Sequence, residues 1–132
     1  MRIVIIGLGK IGRTVLGNLS NKDHTITIID EDKDKVEGLI EEYDVFGVVG
    51  NGACIDIQNE ANVKNADLVI VLTNSDELNI LACLVAKKLG APNTVARVRN
   101  PAYRKQILEM KDELGISMIL NPEKKLQMKY ST

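Results

Sequence analysis

The first thirty residues hold two apolar runs with three regularly spaced glycines between them. Ile3-Val4-Ile5-Ile6 leads directly into Gly7-Leu8-Gly9-Lys10-Ile11-Gly12, and Ile26-Thr27-Ile28-Ile29 ends on Asp30. A β-branched run without polar alternation suits a strand covered on both faces. Ile11, Val15 and Leu19 then recur at helical spacing. The order is strand, glycine turn, helix, strand, carboxylate. That succession is the start of a Rossmann fold, and it binds the adenosine half of a dinucleotide.

Each residue of the turn answers a physical demand. Gly7 permits the tight turn off the strand, Gly9 leaves room for a pyrophosphate, and Gly12 lets the helix pack closely. The helix amino terminus offers N–H groups and partial positive charge to phosphates, with Lys10 in the same turn. Asp30, 18 residues beyond Gly12, is placed to accept hydrogen bonds from both ribose hydroxyls. Its charge would repel a 2′-phosphate, which favours NAD or a plain adenine nucleotide over NADP.

Strand and helix signals alternate to the end of the chain. Strands are expected near 2–6, 25–29, 45–49, 68–72, 94–98 and 117–120. The helices between them carry apolar stripes: Val36, Leu39 and Ile40; Ile80, Cys83, Leu84 and Leu89; and Ile107, Leu108 and Leu114 in one helix running from Pro101 to a stop at Gly115. A short helix follows Cys54. The expectation is one α/β domain over 1–132, a doubly wound parallel sheet of six strands in the order 3-2-1-4-5-6. Aromatic residues are only 3% of the chain, so the core must be aliphatic.

Three further loops fall on the carboxyl edge of that sheet. Gly50, Asn51 and Gly52 follow the third strand, where glycines would admit the adenine. Thr73, Asn74 and Ser75 follow the fourth, at the point where the strand order reverses, facing the second half of a ligand; Asn74 or Ser75 would also cap the next helix. Arg97 and Arg99 end the fifth strand on one face, within reach of a phosphate or a partner subunit.

Composition narrows the function. Net charge is −1, from 17 basic and 18 acidic residues, so no excess of cations exists to neutralise a nucleic-acid backbone. No apolar run reaches the ~18 residues of a membrane span. The two cysteines, Cys54 and Cys83, lack metal or redox spacing and are expected to be buried thiols. A dehydrogenase also needs an acid–base group beside its nicotinamide. The only histidine, His24, falls at the opposite edge of the sheet, and no residues are left over for a substrate domain. A fragment of an NAD-dependent oxidoreductase is the alternative; a catalytic set is not legible.

The chain resembles the RCK or KTN nucleotide-binding domains of TrkA- and KtrA-type potassium-transport subunits. The residues carrying the resemblance are Gly7–Gly12, Asp30, Gly50-Asn51-Gly52, Ala66-Asp67, Thr73-x-x-Asp76-Glu77-x-Asn79, Ala96-Arg97-x-Arg99-Asn100-Pro101 and Asn121-Pro122-Glu123. Where the family often carries arginine, this chain has Lys10. The resemblance implies a cytoplasmic regulatory subunit that is not an enzyme and is seated on the inner face of the membrane through a potassium-transport partner. It implies binding of NAD(H) or ATP/ADP, a homodimer or larger ring, and a tail, 121–132, crossing to the partner copy. It also implies that Glu123 helps bind a divalent metal at the dimer seam.

Overall fold

The structure, a computed structural model, describes residues 1–121 and the backbone of 127–130. Strand β1 (Arg2–Ile6) is followed by α1 (Lys10–Leu19), β2 (Thr25–Asp30), α2 (Lys33–Glu42), β3 (Phe46–Val49) and α3 (Ile55–Glu60). After a 3-10 turn at Val63–Asn65 come β4 (Leu68–Val71), α4 (Asp76–Leu89), β5 (Thr94–Arg97), α5 (Pro101–Glu109), α6 (Lys111–Leu114), β6 (Met118–Asn121) and β7 (Gln127–Tyr130). The sheet order is β3-β2-β1-β4-β5-β6-β7. The first six strands are parallel in the expected order. β7 is an addition at the edge, antiparallel to β6, with Leu120 opposite Met128.

Alternation along the strands builds two cores. Ile3 and Ile5 of β1 meet Ile28 of β2 and Ile70 of β4 on one face, under Leu16 of α1 and Val36 and Leu39 of α2. Val4 and Ile6 meet Ile29, Val69 and Val71 on the other, under Ala82, Cys83 and Ala86 of α4 and Ile107 of α5. Each fully buried Ile adds about 2 kcal/mol from removed apolar surface. The small residues of α4 let that helix lie close on the sheet, the usual reason for alanine in such a stripe.

Four local expectations need correction. The single helix expected from Pro101 to Gly115 is two, because Met110 leaves helical geometry at φ −119°, ψ 22°. Ile40, Leu84 and Leu108, assigned to apolar stripes, are all exposed, at 41%, 38% and 46%. They lie at the margins of their stripes, where helical spacing alone does not say where the covered arc ends. Cys54 is exposed at the amino end of α3, whereas Cys83 is buried as expected. Residues 127–130 add a seventh strand, β7, to the six expected.

Candidate functional site

The carboxyl edge of the parallel strands opens into a cleft of about 360 Å³ between β1 and β4. Gly7, Gly9, Asp30, Gly50, Asn51, Gly52, Thr73, Asn74 and Ser75 all line it. Lys10, Ile11, Gly12 and Arg99 do not. Glu31, Lys35 and Leu78 line it too and had not been singled out. The signal for Lys35 was present: Asp32 caps α2 by accepting from Asp34 and Lys35 N–H, which sets the first turn of α2 beside Asp30.

The three glycines of the first turn do different work. Gly7 adopts φ +97°, and a Cβ there would sit 2.8 Å from the Leu72 and Thr73 backbone. A Cβ on Gly12 would lie 1.9 Å from the Gly7 carbonyl oxygen, so α1 touches the turn through this residue. A Cβ on Gly9 would meet nothing within 4 Å. Gly9 is the N-cap of α1 and no side chain caps that helix. The first amides of α1 thus face open space, which is the arrangement that takes an anion. Ile11 packs against the α1-side core instead of the cleft, and Lys10 is exposed.

Asp30 is tied down before any ligand arrives. Its Oδ2 accepts the Leu8 N–H at 2.7 Å and its Oδ1 accepts the Asp32 N–H at 2.8 Å. These bonds join the glycine turn to the end of β2 and leave each carboxylate oxygen with further lone pairs for a diol.

Beyond β3, the glycines pack closely against side chains. A Cβ on Gly50 would run into Ile57, and one on Gly52 into Ile6. The loop is held by Asn51, whose Oδ1 accepts Ala53 N–H at 2.9 Å, and by Gln58. Gln58 is fully buried and donates to the carbonyls of Gly52 (2.8 Å) and Ala82 (2.9 Å). Gln58 was missed because a polar residue within a helix reads as surface.

The β4–α4 loop is built on Asn79, which is also fully buried. Its amide engages the Thr73 backbone, the Thr73 hydroxyl and the Arg97 carbonyl. Ser75 caps α4 by accepting Leu78 N–H at 3.1 Å. Asp76 accepts the N–H groups of Arg99 and Asn100, which links this loop to the start of α5. Arg97 and Arg99 both turn onto the loop, at Asn74. Glu77 accepts the Tyr103 hydroxyl at 2.7 Å. That bond lowers the Glu77 carboxyl and raises the Tyr103 phenol from their ordinary values.

Among the described residues, the histidine and the cysteines lie outside the cleft lining. His24 lies at the other edge with Asp23 and Asp67. Burial pushes the Cys83 thiol up to about 12, which leaves it unreactive. Among the described residues no group of three or more His, Cys, Asp or Glu could hold a metal. Glu123 lies outside the described residues. No helix among the described residues is long and apolar enough to cross a membrane.

Residues 3–122 match the TrkA-N domain family. The chain is 36% identical over 126 residues to the Trk system potassium uptake protein TrkA of Vibrio alginolyticus, covering 93% of this chain and 28% of that one. It is similar in fold to the TrkA-N domain of the inner membrane protein ybaL from Escherichia coli, with a TM-score of 0.81, 19% identity, and 94% and 89% of the two chains covered. It also resembles the GsuK channel bound to NAD, with a TM-score of 0.73, 23% identity, and 89% and 21% covered.

Proposed function

The chain belongs to the TrkA-N domain family, and from that premise we propose that it is a non-catalytic nucleotide sensor of a potassium-uptake system. The cleft takes NAD(H), or ATP/ADP, with the ribose on Asp30 and the pyrophosphate over Gly9. The observation that carries this reading is the pairing of a helix N-terminus facing open space with a fixed carboxylate. The NAD in the similar GsuK channel supports it by analogy.

The output is a shift of conformational population in a membrane transport partner, from the cytoplasmic side, through a homodimer or ring with the 121–132 tail at the contact and Glu123 at a metal. A nucleotide moves such an equilibrium only by preferring one state, with each ~1.4 kcal/mol of preference worth tenfold.

Calorimetric titration of nucleotide-free protein with NADH, NAD, ATP and ADP, with and without magnesium, tests the reading. Saturable binding to at least one is expected. No binding to any of the four would reduce the glycines to a packing role.

A further inference from the structure

We propose that Gln58 is a positioning residue of the cleft. It fixes the peptide between Gly52 and Ala53, and through it the loop against which the adenosine end of a nucleotide lies. The inference rests on the nucleotide reading above and adds to it a residue that does not itself line the cleft.

Gln58 stands on α3 without exposed surface, and its Nε2 donates to the carbonyls of Gly52 and Ala82. A flipped amide would set its oxygen against both carbonyls, so the orientation is forced. Oε1 is buried as well and has no hydrogen-bond partner among the described residues. A buried acceptor left unpaired opposes folding. The bond to Ala82 offsets little of this. That carbonyl lies inside α4, where the helical ladder already supplies the Ala86 N–H. A methionine or a leucine would fill much the same space without the unpaired oxygen. Packing alone does not call for glutamine here, and the bond to Gly52 does.

Asn51 and Gly52 both line the cleft. The Gly52 carbonyl and the Ala53 N–H belong to one planar peptide and point in opposite directions. Gln58 holds the carbonyl end from the interior at 2.8 Å, and Asn51 Oδ1 accepts the N–H end at 2.9 Å. The plane is thus clamped from both sides. The loop's other bond, from the Cys54 N–H to the Asn51 carbonyl, does not involve this peptide. Without the Gln58 amide, rotation of the plane would bring the Gly52 carbonyl out to water in the cleft and break the bond between Ala53 and Asn51. The carbonyl has two ways to be satisfied, and only the inward one keeps the Asn51 side chain tied at the wall.

The test compares the wild type with Gln58→Met and Gln58→Leu by melting temperature, by hydrogen exchange of the ligand-free Ala53 amide, and by calorimetry with ADP. Melting temperature is expected to stay at or above the wild-type value, since the unpaired oxygen is gone and the Gly52 carbonyl can turn to water. Ala53 exchange should accelerate about tenfold or more, and ADP affinity should fall about three- to tenfold, the worth of one hydrogen bond. A folded variant that keeps wild-type exchange at Ala53, or wild-type affinity for ADP, overturns the inference whatever its stability. Either variant suffices if the other does not fold. Failure of ADP to bind the wild type would instead remove the nucleotide reading, and Ala53 exchange would still decide whether Gln58 sets the loop.

Discussion

The two walls of the cleft are made in opposite ways. On the β1–α1 side, three glycines create the site by what they lack: Gly7 and Gly12 let backbone touch backbone, and Gly9 leaves empty space over the helix. On the β4–α4 side, side chains create it. Asn79, Arg97, Arg99 and Asp76 knit the loop to β5 and α5. The first wall is open to a ligand, and the second is largely satisfied by itself.

Substitutions can separate the walls. Gly12→Ala should do the most damage, since its Cβ would lie 1.9 Å from the Gly7 oxygen and neither backbone can yield cheaply. The ~1 kcal/mol that alanine gains over glycine in a helix is outweighed by overpacking of about 3 kcal/mol. Urea denaturation should show a fall in midpoint with an unchanged slope. Asn79→Ala should follow, at about 2 kcal/mol by the same assay, because it strands the Thr73 N–H and two carbonyls in the interior.

Gly9→Ala should reverse the pattern. Stability should change by less than about 1 kcal/mol, as an alanine cap replaces glycine, while affinity for ADP falls at least about tenfold as the methyl enters the phosphate space. Equal affinity in wild type and Gly9→Ala would move the phosphates elsewhere. The smallest effect expected is that of Tyr103→Phe. Tyr103 holds the Glu77 carboxyl below its ordinary value, so their bond stabilises the fold above the ordinary glutamate range and is lost as pH falls through the lowered value. Melting temperature followed from neutral to acid pH should therefore fall slightly more in wild type than in Tyr103→Phe.

The same contrast explains what the sequence discloses. Glycine spacing and β-branched runs are local signals, and they place β1 at Arg2–Ile6 and β2 within a residue of expectation. Asp30 is legible for the same reason. Gln58 was not, and Asn79 entered only through the resemblance, because their partners are carbonyls 24 and 18 positions away and nothing nearby marks them as interior. Gly50 and Gly52 were legible as glycines, but the Ile57 and Ile6 side chains packed against them were not. The break at Met110 escaped because apolar spacing continues through it to Leu114. β7 escaped too: its four residues have no glycine turn before them to mark a new strand.

The central claim is that an adenine nucleotide lies over the glycine turn and Asp30, and backbone amide NMR with ADP tests it most directly. The account predicts that saturating ADP shifts the amides of Gly7–Gly12, Glu31 and Asn51 and leaves those of Asp23 and His24, on the far edge, unmoved. Shifts centred on the far edge, or none at the glycine turn, would contradict it.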